Sequence, residues 1–219
     1  MGVKKSIAAV VLAASMMLGS LSASAATSPS KVPAATTYVD KNKKDHKNST
    51  VVSNINKKGT AGTVTKAYAN NSKTGSNGVV ISTARNAKGK KVPVTYFGNG
   101  KTGVFATKKG NKITKVNFQS KKTVTIKAYS FAKSKVNTVR VKGKVSIKKN
   151  AFKNTKVKNA TIRIYVKKAS SVTAAKGAFT GLSKSAKVIV DKKSMSKAEF
   201  KKLSKKLKKA GFKGTIVRK

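Results

Sequence analysis

The sequence predicts a mainly β chain with a C-terminal helix, built as a solenoid of short parallel strands under a helical C-terminal cap. Three observations predict it. Pairs of apolar residues separated by one position recur at near-constant steps, phenylalanines recur in phase with them, and one stretch near the end has helical rather than strand periodicity. A strand of the form x-V-x-V is too short to make a stable sheet alone. Stacked at a fixed period, equivalent strands pair in parallel and their inward side chains form continuous apolar columns.

Taken in order, residues 1–26 read as an export signal. Lys4 and Lys5 form a positive start, Ile7 to Leu18 is apolar and uncharged, and Ala23-Ser24-Ala25 offers the small residues a signal peptidase accepts. The apolar run is too short to cross a hydrocarbon core of about 30 Å. The mature chain is therefore expected to be secreted, outside a bacterial cell. Residues 27–60 read as a disordered basic arm, with Pro29, Pro33 and many Ser, Thr, Asn and Lys but few large apolar residues to offset ordering entropy. Residues 61–97 read as a short β-hairpin lead-in. Thr63 to Thr65, Val79 to Ile81 and Val92 to Phe97 have strand character, separated by Asn70-Asn71-Ser72, Gly75 to Gly78 and Asn86 to Lys91 as turns.

Residues 98–193 hold the repeats. One set of apolar pairs runs Val116/Phe118, Val139/Val141, Ile162/Ile164 and Val188/Val190, at steps of 23, 23 and 26 residues. A second set is Val124/Ile126 and Val145/Ile147, at a step of 21, with Val172 a weaker third. Phe105, Phe131, Phe152 and Phe179 keep phase with both and form the expected aromatic ladder of the interior. Ser130, Ala151 and Ala178 stand before the last three, and Val136, Val157 and Leu182 follow them.

At these residues the chain resembles the BspA-type leucine-rich repeats of bacterial secreted and surface proteins. The resemblance lies in Asn150-Ala151-Phe152-Lys153-Asn154-Thr155-Lys156-Val157, in Gly177-Ala178-Phe179-Thr180-Gly181-Leu182 and in Tyr129-Ser130-Phe131-Ala132. It implies a leucine-rich-repeat-like solenoid, a non-catalytic role at the cell surface and a macromolecular partner. The chain departs from the pattern in using Val and Ile where Leu is usual, in lacking Cys, and in steps that vary from 21 to 27 residues.

Residues 194–219 read as the cap. Ser196 is placed to cap a helix, with Glu199 three residues on as capping-box partner. Phe200, Leu203, Leu207 and Ala210 share one face, Gly211 ends the helix, and Thr215-Ile216-Val217 is available as a last strand. The same amphipathic segment would also suit peripheral contact with a membrane.

The formal charge of +47 becomes +45 once Lys4 and Lys5 are removed, against four carboxylates, Asp40, Asp45, Asp191 and Glu199. Repulsion on this scale favours an elongated shape over a globule. Such an inventory leaves little room for catalysis. Asp40, Asp45 and the single histidine, His46, fall in the expected arm, while Asp191 and Glu199 flank the entry to the cap, so paired acids, a Ser-His-Asp constellation and metal clusters are not expected. No phosphate-binding loop motif surrounds Gly98 to Gly103, and no cofactor is expected.

Four of the basic residues are arginine, Arg85, Arg140, Arg163 and Arg218, and the rest are lysine. Lysine is a hydrated point charge suited to diffuse attraction, whereas reading base edges or phosphate forks favours arginine. The expected partner is thus a protein or an anionic envelope or host polymer, such as teichoic acid or an acidic glycan, rather than a specific nucleic-acid sequence. The alternatives are a cationic membrane-active protein acting through the C-terminal amphipathic helix and a non-specific extracellular nucleic-acid binder. Positions between the inward pairs should stack outward across coils. This places Asn117, Arg140, Arg163 and Ile189 in one row and Gln119, Lys142, Tyr165 and Asp191 in the next. Asn117, Arg140, Lys142, Arg163 and Tyr165 are the candidate ligand-facing stripe.

Overall fold

The computed structural model describes residues 35–39, 49–69, 78–109 and 112–219, the first of these by backbone alone. The expected export signal, residues 1–26, lies outside them. The chain is mainly β with one long helix near its C-terminus, and most strands are parallel and belong to two sheets.

The first sheet takes β1 (Ala35–Val39), β2 (Ser49–Ile55), β3 (Gly62–Ala69), β6 (Lys91–Phe97), β8 (Val124–Ile126), β10 (Val145–Ile147) and β12 (Val172–Ala174), in that order, with β5 (Thr83–Arg85) paired to β6 alone. The second sheet runs from β14 (Thr215–Arg218) through β13 (Lys187–Val190), β11 (Thr161–Ile164), β9 (Thr138–Val141) and β7 (Lys115–Phe118) to β4 (Gly78–Ile81). From β3 to β13 the chain alternates between the two sheets, one strand in each per coil, with β5 as an added hairpin strand.

Register follows the repeat. Val116, Val139, Ile162 and Val188 are successive partners, as are Phe118, Val141, Ile164 and Val190. In the other sheet Val124, Val145 and Val172 align, and so do Ile126, Ile147 and Ala174. All of these except half-buried Ala174 are buried, because strand periodicity of two turns every second side chain inward.

Between the sheets run the phenylalanines. Phe105 and Phe131 have ring centroids 6.1 Å apart, Phe131 and Phe152 stack at 4.5 Å and 4°, and Phe152 and Phe179 at 6.1 Å and 19°. The column is longer than the repeat spacing indicates. Phe97 packs on Phe105, Phe118 and Phe131 at one end, and Phe212 meets Phe179 edge-on at 5.2 Å at the other. Ser130, Ala151 and Ala178 are small because the backbone of a neighbouring coil passes there, and none of them exposes any surface.

The corner that carries each phenylalanine uses the left-handed region twice. Tyr129, Asn150 and Gly177 have φ of 57°, 62° and 76°, and four residues later Lys133, Asn154 and Gly181 have 56°, 61° and 103°. This conformation turns the N–H of each residue toward the next coil: Tyr129 donates to the Asn150 carbonyl, Asn150 to Gly177 and Gly177 to Ala210. Gly181 is further constrained, since a Cβ there would lie 2.3 Å from the Phe152 carbonyl oxygen.

The C-terminal end of the stack is covered, as a repeat array requires. At the C-terminal end lies α1 (Lys197–Lys209). The Ser196 hydroxyl accepts from the Glu199 N–H, and Gly211, at φ 94°, closes the helix with Gly211 N–H donating to Lys208 and Phe212 N–H to Leu207. Leu203 and Leu207 are buried against the last coil. The capping box is only half made: the Glu199 side chain reaches Ala169 N–H at 2.6 Å rather than turning back to Ser196, which ties the helix to the 3-10 turn Ala169–Ser171.

At the N-terminal end the structure corrects two boundaries. Within the segment expected to be a disordered arm, residues 27–60, β1 and β2 form strands, and β2 pairs antiparallel with β3. Few apolar residues suffice, because Val51 and Ile55 alternate onto the inner face with buried Ser53, and the ladder supplies the rest. The expected lead-in, residues 61–97, does contain a hairpin, β5–β6, turned at Asn86, whose side chain accepts from Lys88 and Lys90 N–H. It is not a separate lead-in. β3 pairs in parallel with β6 in the first sheet and β4 is the end rung of the second, so coiling begins near residue 62 instead of 98. A single apolar pair beside a hairpin turn does not reveal which distant strand it will pair with.

Two outcomes follow for stability. Phe152→Ala, at the tightest stack, is expected to cost about 3–5 kcal/mol in denaturant unfolding, and a loss below about 1 kcal/mol would show that the aromatic column does not hold the coils. Lys133→Gly relieves an L-residue held at φ 56°. It should raise stability by about 0.5–1 kcal/mol after the extra chain entropy of glycine is counted, readable as a higher melting temperature.

Candidate functional site

The outer face of the second sheet carries the candidate stripe, and the register brings its members together. Asn117 pairs with Arg140, Arg140 with Arg163, and Arg163 with Ile189. The row extends beyond the expected members, to buried Val80 at one end and Val217 at the other.

The second row lies just past the strands and keeps register through backbone bonds. Lys142 N–H donates to Phe118, Tyr165 to Val141 and Asp191 to Ile164. Lys142 Nζ sits 5.8 Å from the centroid of the Tyr165 ring, close enough for a cation–π contact. Lys219, whose N–H donates to Val190, continues this row. It escapes sequence reasoning unless β14 is recognised as one more rung, which sets Val217 beside Ile189 and Lys219 next in line.

Arg163, Tyr165, Ile189, Asp191 and Lys219 line a shallow cavity of about 220 Å³. Arg163 and Lys142 are exposed, while Asn117, Arg140 and Tyr165 are half-buried. Two buried polar atoms within the stripe have no hydrogen-bond partner: the acceptor Asn117 Oδ1 and the donor Arg140 Nε. An unmet buried group of this kind costs about 1–3 kcal/mol.

The described carboxylates serve the architecture. One Asp191 oxygen accepts from Ser194 N–H at 2.8 Å and from its hydroxyl at 2.5 Å, fixing the turn into α1. Glu199 holds Ala169 N–H and makes, among the described residues, the one ion pair, 2.9 Å to Lys202 Nζ. The Lys202 ammonium and then the Ala169 N–H hold the Glu199 carboxyl below its ordinary pKa. Among the described residues no three His, Cys, Asp or Glu side chains come together, and no helix is long and apolar enough to cross a membrane. His46, Asp40 and Asp45 lie outside the described residues.

Comparison with protein-family models, with curated proteins and with solved structures gave no match.

Because its carboxyl is depressed in the folded chain, Glu199 adds stability above the unfolded carboxylate pKa and loses it as pH falls through the folded value. Glu199→Gln should therefore lower the melting temperature at neutral pH, with the gap to wild type closing as the solution is acidified below about pH 4. A gap that stays constant across that range would assign the effect to packing instead of charge.

Proposed function

We propose that the chain is an exported, non-catalytic repeat protein of the BspA-like leucine-rich-repeat kind, which binds an anionic polymer of the cell envelope across the outer face of its second sheet. The observation that carries this reading is the in-register stripe of Arg140, Arg163, Tyr165 and Lys219. A repeating ligand is read most economically by a repeating surface, and each coil presents the same two outward positions. Secretion is supported by the Lys4-Lys5, Ile7 to Leu18 and Ala23-Ser24-Ala25 sequence. Assignment to the repeat class rests on the recurring small-residue–Phe pair at equivalent corners and on the parallel register of both sheets.

Teichoic acids and acidic glycans fit this surface better than a defined nucleic-acid sequence does, because lysine outnumbers arginine so heavily. Membrane insertion of the C-terminal helix fits less well, since Leu203 and Leu207 are already buried in the last coil.

The test is retention of the mature protein on a phosphate-bearing polymer resin. Wild type should elute well above ~0.1 M salt, where a few weak surface charges would already be screened. Arg140→Gln with Arg163→Gln should weaken binding about tenfold and reduce the log–log salt slope by about 1.4, the share of two neutralised phosphates on a flexible strand. Elution of wild type at ~0.1 M would sink the charge-based role.

A further inference from the structure

The outer rows of the second sheet are not symmetric about the stripe. One margin holds Lys115, Thr138, Thr161, Lys187 and Thr215 and adjoins the longer phenylalanine-bearing turns 127–137, 148–160 and 175–186, whose exposed lysines are unevenly spread, from two to five per turn. The other margin passes directly into the four short turns that leave the second sheet, residues 119–123, 142–144 and 165–171 back to the first sheet and residues 191–196 into α1. Every one of these turns carries two exposed lysines: Lys121 and Lys122 in the first, Lys142 and Lys144 in the second. Lys167 and Lys168 follow in the third, Lys192 and Lys193 in the fourth.

We infer that this short corner is the track along which a flexible phosphodiester polymer lies, parallel to the axis on which the coils stack. The inference rests on the binding reading above and places the polymer's path. Parallel strands hold successive coils about 4.8 Å apart. A chain laid along the corner therefore meets a pair of ammonium groups at every step of about 5 Å, on a frame whose backbone ladder fixes the spacing. A ligand crossing the sheet at right angles would meet one coil and two lysines. Laid lengthwise it meets all four.

The turns are lysine-bearing in a manner that specifies charge and little else. Beyond Tyr165 at the sheet margin they contain no aromatic residue on which a base could stack, and they contain no arginine to read a base edge. Two carboxylates lie at the far end of the track: Glu199 is held by Ala169 N–H and paired with Lys202, while Asp191 accepts from Ser194 through one oxygen and sets its negative charge beside the cavity. Polymer units leaving the track toward the sheet reach Arg163, Tyr165 and Lys219 around the cavity, so corner and stripe form one continuous surface.

The test compares two variants of the full mature chain with equal net charge. One is K121Q/K122Q/K144Q/K167Q/K168Q/K193Q. The other removes six exposed lysines from the opposite, phenylalanine-bearing corner, K135Q/K149Q/K156Q/K158Q/K176Q/K184Q. Binding to poly(glycerol phosphate) is followed by titration over a series of salt concentrations, with thermal melts to confirm folding. The corner variant should lose about 4 from the log–log salt slope, six charges at about 0.7 each, with a drop of about 100-fold or more in affinity near ~0.15 M salt, while the control changes less than about threefold. If the six-site change unfolds the chain, K121Q/K122Q and K167Q/K168Q against K156Q/K158Q carry the same comparison.

Equal loss in both variants would overturn the track and leave diffuse polyanion binding intact. Failure of wild type to bind the polymer at all would overturn the binding reading itself. Duplex DNA held as tightly, with the same dependence on the corner, would overturn the choice of polymer.

Discussion

Everything in this molecule depends on coil-to-coil register. Parallel backbone bonding puts Val139 over Val116 and Ile162 over Val139, and the same bonding carries Tyr129 N–H to Asn150 and Asn150 N–H to Gly177 at the corners. A slip of one residue would turn the apolar columns outward and the charged rows inward. The phenylalanine column works as a second lock, because a ring stacked 4.5 Å from its neighbour tolerates little axial or rotational error.

That register also explains how so basic a chain can be ordered. With +47 formal charge, a compact globule would crowd ammonium groups on all sides, whereas stacked coils send lysine stems outward from a narrow interior. Some of these stems lie over tyrosine rings, as Lys127 does at 4.8 Å from Tyr96 and Lys153 at 5.8 Å from Tyr129. The described carboxylates are placed where the stack ends, and both accept from backbone N–H groups there, Asp191 from Ser194 and Glu199 from Ala169. The remaining positive charge is uncompensated within the described chain, which is the condition a polyanion would relieve.

The same register converts isolated residues into surfaces. Asn117, Arg140 and Arg163 are 23 residues apart in sequence and adjacent in the sheet. Lys142, Tyr165, Asp191 and Lys219 become a row because each follows a strand of the same length and direction. Unequal turns between the sheets leave the repeat of the inward columns untouched, which is why steps of 21 to 27 residues can coexist with an unbroken core.

Taken by itself, the sequence determined the inward columns, the aromatic ladder from Phe105 to Phe179, the outward rows and the apolar face of the helix, because each is a matter of periodicity along one chain. Tertiary structure alone decided the rest. Phe97 and Phe212 join the ladder from outside the repeat spacing, Phe212 because a helix replaces a strand in the last coil. β4 joins the second sheet, and β2 adds to the first, through backbone pairing that side-chain pattern does not encode. Glu199 abandons the capping box for Ala169, a partner 30 residues away, since only the folded stack brings that unmet N–H within reach. Period is a local property and can be read; the choice of partner for an edge strand or an unmet polar group is settled by proximity, which exists only once the chain has folded.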